Sequence, residues 1–331
     1  MDLLYDRDVN MDALKNRTVA VLGYGNQGRA QAMNLRDSGV NVIVGNREDD
    51  YRDQAIADGF QPMSIADAAV AGDILLVLTT DESQPHIWTE QIAPGIQPGN
   101  TVCWASGYNI GFEVIVPPKE VDVIMVAPRM TGNFVRSLFE SGRGALAMYA
   151  VHQDATGTAH ETALALCKGI GLTRGGVFKS TFREEAELDL FAEQVVWAGF
   201  TQWMVDCFEI GVKHGFSPEL MVMELYCSGE GAEIMGMMAN QGFFKQMARH
   251  STTSQYGTLS RGPRLIPNEM RRRAEEFFTK DIRGGAFVDE WSSEQAEGSK
   301  TLKTLKEKGL QHPMNAAEDR VIALIRAARG E

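Results

Sequence analysis

The chain of 331 residues suits about two domains, and an apolar content of 44% supplies a core for each, which argues against disorder. Its 32 basic and 44 acidic residues leave a formal net charge of −12. Because no basic cluster is available to neutralise the phosphates of a duplex, this composition argues against nucleic acid as a partner and favours a small-molecule ligand.

The N-terminal segment MDLLYDRDVNMDALKNR lacks the apolar core of a signal peptide, and no run of about 18 apolar residues occurs. We therefore expect a cytoplasmic protein with no membrane association. The cysteines lie far apart without CxxC spacing, which predicts reduced core thiols rather than disulfides or zinc ligands. They are Cys103, Cys167, Cys207 and Cys227.

In chain order, the first half alternates strand and helix signals, which predicts a parallel sheet covered by helices. Apolar, β-branched runs predict strands at Thr18–Leu22, Val40–Val44, Asp73–Thr79, Thr101–Ala105, Val121–Val126 and Ala145–Val151. Helices are expected at Gly28–Ser38 and Tyr51–Asp58, and from about Phe182 apolar residues recur at helical spacing. The sequence thus predicts an α/β domain over residues 1–181 and an all-α domain over residues 182–331, with the connection at residues 175–183.

A GxGxxG motif, Gly23-Tyr-Gly25-Asn-Gln-Gly28, directly follows the first predicted strand and directly precedes a helix. Glycines permit the tight turn and the close approach of backbone to a pyrophosphate, which the helix N-terminus attracts. In this context the motif predicts a dinucleotide-binding Rossmann domain rather than a plain glycine-rich turn.

The second strand is followed by Arg47, which is suited to face the 2′-phosphate of NADPH, and then by Glu48, Asp49 and Asp50. Each carboxylate would repel that phosphate by roughly 1 kcal/mol in a high dielectric. The balance favours NADH and leaves NADPH open. The alternative is an acidic solvated loop that touches neither cofactor.

Glu185, Asp189 and Glu193 are spaced four apart, which aligns them on one face of a predicted helix. Such a stripe is normally solvated, but its apolar neighbours favour burial, and buried carboxylates need a partner that is commonly a cation. A second acidic set follows at Glu224, Glu230 and Glu233. Oxygen ligands without His or Cys suit Mg²⁺ rather than Zn²⁺.

Several motifs together resemble ketol-acid reductoisomerase of the short class. They are GYGNQG (23–28), VDVIMVAPRMTG (121–132), AVHQDATG (150–157), DLFAEQ (189–194), GPRLI (262–266), IRGGAFVDEW (282–291) and HPMNAAEDRV (312–321). This resemblance spans nearly the whole chain. It implies a Rossmann domain, a knotted helical domain, and a homodimer or larger homo-oligomer in which the partner subunit completes the active site. It also implies a Mg²⁺-promoted alkyl shift in a 2-aceto-2-hydroxy acid and then hydride reduction to a 2,3-dihydroxy acid, the chemistry of branched-chain amino-acid synthesis.

The resemblance also assigns roles to individual residues. It implies that Asp189 and Glu193 bind the metal, that Glu224 and Glu230 are the acids contributed by the partner subunit, and that Ser251 binds the substrate carboxylate. The family's two partner acids are four apart, whereas here they are six apart, so Glu224 matches less well. Nucleotide-contacting positions fall on Gly23, Tyr24, Gly25, Asn26, Gln27, Gly28, Arg47, Asp50, Asp81, Glu82, Ser83, Gln84 and Gly132.

Two departures fall at catalytic positions. Ser106 stands where the family has a histidine beside the nicotinamide, and Arg129 stands where it has a lysine near the metal, followed by Met130-Thr131 in place of Gly-Pro. Serine does not titrate near neutrality and arginine stays protonated, so acid–base work by these side chains is curtailed. Two other functions therefore stay open: a reductase of a 2-keto acid or imine without the alkyl shift, and a non-catalytic nucleotide binder.

Overall fold

The computed structural model describes residues 3–330, and the chain falls into two compact units divided between Asp189 and Leu190. Residues 1–2 and 331, at the ends of the predicted domains, lie outside the described residues. The boundary expected between residues 181 and 182 stays a prediction.

The first unit is built on one sheet. Its strands are β1 (Thr18–Leu22), β2 (Asn41–Gly45), β3 (Ile74–Val77), β4 (Thr101–Trp104), β5 (Asp122–Pro128), β6 (Ala147–Gln153) and β7 (Val177–Lys179). Their order is β2-β1-β3-β4-β5-β6-β7, with parallel pairing from β2 through β5. The six predicted strands are confirmed, with ends shifted by at most two residues.

Two features of the sheet differ from the prediction. β6 pairs with β5 in the antiparallel direction, with Ala147 opposite Pro128. The chain therefore leaves β5 and enters β6 at the same end of the sheet. β7 lies in the segment expected to be a connection, and it pairs in parallel with β6. A strand of three residues is too short to show an alternating pattern in the sequence.

Helices cover both faces of the sheet. They are α1 (Asn26–Asp37), α2 (Asp50–Ala57), α3 (Ile65–Ala71), α4 (Gln84–Ile87), α5 (Tyr108–Gly111), α6 (Gly132–Glu140), α7 (Ala159–Ile170) and α8 (Phe182–Phe191). Successive residues of β1 enter different cores: Val19 and Val21 belong to one buried cluster, and Ala20 and Leu22 belong to the other. This alternation is what a strand buried on both faces requires.

The second unit is helical, as predicted. After α8 come α9 (Ala198–Lys213), α10 (Pro218–Val222), α11 (Glu230–Gln241), α12 (Thr252–Leu265), α13 (Asn268–Glu276), α14 (Ala286–Ala296), α15 (Lys300–Leu310) and α16 (Pro313–Arg329). π-Helical segments occur at Ala192–Trp197, Met223–Cys227 and Phe277–Ile282. A small core centred on Phe208, Val222 and Val321 joins α9, α10 and α16.

Two sequence expectations about the whole chain can be compared directly with the fold. Of the four free cysteines, Cys103 and Cys167 are buried, as predicted, whereas Cys207 and Cys227 are only partly buried. Among residues 3–330, no helix combines the length and apolar character needed to cross a membrane.

Candidate active site

The turn between β1 and α1 is built by glycines with different functions. Gly23 has φ +99°, and a Cβ there would lie 2.8 Å from the backbone nitrogen of Thr79. A Cβ at Gly28 would lie 1.9 Å from the carbonyl oxygen of Gly23, so only glycine lets α1 start this close to β1. Gly25, by contrast, has nothing within 4 Å of an added Cβ. The open space beside Gly25 leaves the backbone accessible to a ligand.

A cavity of about 360 Å³ opens above this turn. Its lining residues are Gly23, Tyr24, Gly25, Asn46, Arg47, Asp49, Tyr51, Ile65, Leu78, Thr79, Thr80, Glu82, Ser83 and Ile87. A second cavity of about 430 Å³ shares Tyr24, Gly25 and Tyr51 with it and includes Asn26 and Asp50. Both lie beyond the carboxyl ends of β1 and β2, next to the point between β1 and β3 where the strand order changes direction. That is the usual ligand position in an open α/β sheet.

The acidic loop after β2 is organised around Asp49. Its carboxylate caps α2 by accepting hydrogen bonds from the backbone nitrogens of Tyr51 and Arg52, and it also accepts one from the Asn46 side chain. Arg47 Nε lies 2.6 Å from the other oxygen of Asp49. Partial burial raises the pKa of Asp49, but the hydrogen bonds from Arg47, Asn46 and Arg52 outweigh it and hold the pKa below its usual value. Arg47, the side chain expected to face a 2′-phosphate, is therefore already paired with a carboxylate.

Other predicted nucleotide-contacting residues hold the surrounding loops. Gln27 Nε2 donates to the carbonyl oxygen of Met130 over 2.8 Å, and the Asn26 side chain accepts from the backbone nitrogen of Asn133. A Cβ at Gly132 would lie 2.0 Å from the carbonyl oxygen of Asn26. The N-termini of α1 and α6 are thus tied together beside the cavity.

The segment after β3 contains residues that line the cavity and residues that hold the loop in place. Glu82 and Ser83 line the cavity, whereas Gln84 is buried and donates to the carbonyl oxygen of Thr79 over 2.8 Å. Asn109, in α5, donates to the Gln84 side chain and to the carbonyl oxygen of Asp81. Asp81 and Gln84 therefore fix the loop that carries Glu82 and Ser83.

A charged cluster lies at the same edge of the sheet, after the carboxyl ends of β4 and β5. Arg129, directly after β5, places Nη1 2.7 Å from Glu185 Oε1, and its Nη2 donates to Asp189 Oδ1. Glu185 is only 2% exposed, and its second oxygen accepts a hydrogen bond of 2.6 Å from the backbone nitrogen of Gly107. One guanidinium thus bridges two carboxylates one turn apart on α8.

Burial dominates the electrostatics of this cluster. It raises the pKa of the Glu185 carboxyl to about 7, although the Gly107 hydrogen bond and the Arg129 charge oppose the shift. Burial alone would lower the pKa of Arg129, but the carboxylates of Asp189 and Glu185 raise it. Arg129 therefore stays a cation throughout the physiological range.

Comparisons with known proteins agree with this arrangement. Residues 13–176 match the family model "Acetohydroxy acid isomeroreductase, NADPH-binding domain", and residues 182–327 match "Ketol-acid reductoisomerase, C-terminal domain". The chain belongs to the ketol-acid reductoisomerase family. Membership confirms the predicted family, the Rossmann half followed by a helical half, and the class of nicotinamide-dependent oxidoreductase.

Individual relatives cover nearly the whole chain. The ketol-acid reductoisomerase (NADP(+)) of Pyrobaculum islandicum is 42% identical over 311 residues, 93% of each chain. That of Akkermansia muciniphila is 41% identical over 325 residues, 98% of this chain and 99% of its own. The solved structure of an NADH-preferring ketol-acid reductoisomerase from an uncultured archean is 36% identical, with a TM-score of 0.93 over 98% of this chain and 99% of that chain.

Ser106, which the resemblance matches to a histidine of the family, has a local structural contact. Its hydroxyl accepts a hydrogen bond of 3.2 Å from the backbone nitrogen of Tyr108, at the start of α5. Gly107 follows, and a Cβ there would lie 2.0 Å from the carbonyl oxygen of Phe182. The loop after β4 is therefore packed directly against α8, so that it can reach Glu185.

The remaining candidate residues lie beyond Asp189. Glu193 is in the π-helical segment Ala192–Trp197, Glu224 is in the segment Met223–Cys227, and Glu230 is the first residue of α11. π-Turns shift the direction of the side chains that follow, and they often occur at functional sites. Ser251 caps α12, since its hydroxyl accepts from the backbone nitrogen of Ser254 over 3.1 Å.

The donor chemistry of the acidic residues suits Mg²⁺, because their side chains offer only carboxylate oxygens. Within residues 3–330, however, no three His, Cys, Asp or Glu side chains come together to hold a metal ion.

Sequence reasoning placed Glu185 in the acidic stripe with Asp189 and Glu193 but gave it no individual role. Its spacing and its apolar neighbours predicted a buried acidic face, and only the fold reveals its contacts with Arg129 and Gly107. Both partners are more than fifty residues away in the chain, where no local pattern reaches.

Proposed function

We propose that the chain is a Mg²⁺-dependent, NADH-preferring reductoisomerase that converts a 2-aceto-2-hydroxy acid into a 2,3-dihydroxy acid. The observation that carries this proposal is the position of the carboxylates Glu185 and Asp189. They lie with Arg129 at the carboxyl ends of the strands. The cavity of about 360 Å³ beside Gly25, which we call the nucleotide cavity, opens at the same edge of the sheet. Nucleotide and acidic groups at one edge allow reduction and carbonyl activation on the same substrate.

Asp189 and Glu193 are the proposed metal ligands from one chain, and Glu230, with Glu224 as a weaker candidate, is proposed to come from a second copy. Mg²⁺ held there would polarise the substrate carbonyl and stabilise the alkoxide that the alkyl shift requires. Ser251, at the N-terminus of α12, is proposed to bind the substrate carboxylate, where the helix end favours an anion. Arg129 adds a permanent positive charge that orients the substrate.

Hydride transfer is the chemistry of the nicotinamide cofactor, and the chain's part is to hold and orient it. Asp49 supports a preference for NADH. Its charged carboxylate occupies the N-terminus of α2 and pairs with Arg47, the side chain that would otherwise face a 2′-phosphate. A phosphate there would meet a carboxylate and compete with it for both the helix end and the arginine.

The cofactor preference can be tested with Asp49→Ser. Serine keeps the helix cap but removes the charge and releases Arg47, so the ratio of kcat/KM for NADPH to that for NADH should rise by about ten-fold. Asp53→Ser, at an exposed position of the same helix, makes the same change in net charge and should leave the ratio unchanged. An unchanged ratio in Asp49→Ser would show that another residue sets the preference.

The homodimer is part of the proposal. In the second unit, large aromatic side chains are exposed on the single chain, among them Trp197, Phe200, Trp203, Phe243 and Phe244. An apolar surface of this kind is typical of an interaction site. A second copy would cover it and would supply the acids that one chain lacks.

A second function is favoured by Ser106 and Arg129. With no titratable side chain at either position, the alkyl shift could be lost while reduction of a 2-keto acid or imine survives. A non-catalytic nucleotide binder is less well supported, because it has no use for the buried, paired carboxylate of Glu185 beside Asp189.

Steady-state oxidation of NADH distinguishes these functions. The purified protein should turn over 2-acetolactate and also a 3-hydroxy-2-keto acid, which needs only reduction, with the first reaction dependent on Mg²⁺. Turnover of the 3-hydroxy-2-keto acid alone would establish the reductase. Nucleotide binding without turnover of 2-acetolactate, 2-keto acids or imines would establish the binder.

A further inference from the structure

Arg129 joins two carboxylates of the same helix, Glu185 and Asp189 of α8. Its Nη1 lies 2.7 Å from Glu185 Oε1, and its Nη2 donates to Asp189 Oδ1. The side chain is 31% exposed, while Glu185 is almost fully buried. The backbone nitrogen of Gly107 also donates to Glu185 and holds that carboxylate in place. Arg129 therefore pairs with a fixed, buried carboxylate and with the more exposed Asp189.

The shape of a guanidinium explains why it can hold both acids. It is a planar fork with five donors, so two nitrogens can engage two carboxylates at once. The ammonium of lysine is a compact point charge on a flexible stem, and it would engage Glu185 or Asp189 without spanning them in the same fixed geometry. The substitution of arginine for the family's lysine therefore changes which oxygens of α8 are engaged.

The consequence concerns Asp189 directly. Mg²⁺ takes oxygen ligands at about 2.0–2.1 Å in a near-ideal octahedron and tolerates little distortion. An Asp189 oxygen that accepts a charged hydrogen bond from Arg129 is a poorer ligand, and the guanidinium also repels a divalent cation placed beside it.

We propose that Arg129 is a resident cation that competes with Mg²⁺ for Asp189, and so sets a weak metal affinity in this chain. The inference rests on the proposed function in taking Asp189 as a metal ligand. It adds that the single charge of Arg129 partly neutralises the two carboxylates in the resting site. Glu185 and Asp189 stay paired with Arg129 until Mg²⁺, at a high concentration, draws Asp189 away.

The test is Mg²⁺ binding to the metal-stripped, full-length protein, measured by isothermal titration calorimetry. Arg129→Lys should bind Mg²⁺ about ten-fold more tightly than the wild type, because a lysine that pairs with the buried Glu185 no longer spans to Asp189. Arg129→Gln, which removes the charge and keeps an amide donor for Glu185, should also bind more tightly. The matched control is Arg136→Lys, since Arg136 likewise lies between two carboxylates, Asp37 and Glu140, but in α6.

A second readout is thermal unfolding with and without Mg²⁺. If the inference holds, the rise in Tm on adding Mg²⁺ is larger in both Arg129 variants than in the wild type or in Arg136→Lys. This measurement compares each variant with itself, so a loss of stability from unpairing Glu185 does not obscure the effect of the metal.

Asp189→Asn separates the failure of this inference from the failure of the proposed function. If Asp189→Asn binds Mg²⁺ as the wild type does, the metal assignment itself is wrong. If it loses Mg²⁺ while the Arg129 variants bind no more tightly than the wild type, the assignment stands and the competition does not exist.

Discussion

At the scale of single residues, Gly107 shows how a backbone position can control a charged side chain elsewhere in the sequence. Its nitrogen donates to Glu185, and its missing Cβ lets the loop after β4 lie against Phe182. Gly25 presents the opposite case, because its open side faces the nucleotide cavity.

These two glycines lead to paired predictions. Gly107→Ala should lower the free energy of unfolding by about 1–3 kcal/mol, since the new methyl group overlaps the carbonyl oxygen of Phe182. Gly25→Ala should unfold like the wild type but bind NADH more weakly, because its methyl group intrudes on the pyrophosphate. Urea denaturation and fluorescence titration measure the two effects. Equal stability in both variants would contradict the close approach at Gly107.

The sequence predicts contacts between residues that are close in the chain and misses those between distant residues. The spacing of Glu185, Asp189 and Glu193 identified the acidic helix face, because helical periodicity is local. Arg129, which pairs with that face, follows β5, whereas α8 follows β7. Only the order of the strands in the sheet brings Arg129 close to α8. The pairing of Asp49 with Arg47 was equally absent from a count of charges.

At the scale of elements, Asp58 holds α2 to α1 beside the nucleotide cavity. It accepts two hydrogen bonds from Arg29, at 2.6 and 3.0 Å, and one from the Tyr24 hydroxyl. The hydrogen bonds from Arg29, and then that from Tyr24, keep the pKa of Asp58 below its usual value despite partial burial.

The lowered pKa predicts a dependence of stability on pH. A carboxyl group whose folded-state pKa is depressed contributes stability above its unfolded pKa of 3.8, and that contribution is lost as the pH falls through the folded-state value. Asp58→Asn should therefore cost about 1–3 kcal/mol at pH 7, and the cost should shrink as the pH falls below about 4. Urea denaturation across this range measures it, with Asp53→Asn as the exposed control. A cost independent of pH would mean that the charge of Asp58 contributes nothing.

Element prediction from the sequence succeeded where a pattern was long enough to read. β1 to β6 are apolar, β-branched runs between turn signals, and all were predicted. The direction of β6 was not, because an isolated strand carries no record of its partner. The three residues of β7 gave no pattern, and the π-helical segments at Glu193 and Glu224 look like ordinary helix in the sequence.

At the scale of the whole molecule, the exposed aromatic side chains of the second unit support the proposed homodimer. Subunit mixing tests this proposal. Asp189→Asn and Glu230→Gln should each be inactive alone. Random mixing of the two should restore about a quarter of wild-type activity, because half of the dimers are mixed and each mixed dimer contains one intact site. Mixtures that stay inactive after subunit exchange would place all the ligands within one chain.

The most direct measurement of the central claim is the structure of the product formed from 2-acetolactate with NADH and Mg²⁺, determined by NMR. An alkyl shift before reduction places both methyl groups on the carbon that carried the ketone, so we predict two methyl singlets. Reduction without the shift leaves one methyl group on each of two carbons, giving a singlet and a doublet. That second spectrum would contradict the account and establish a reductase that has lost isomerisation.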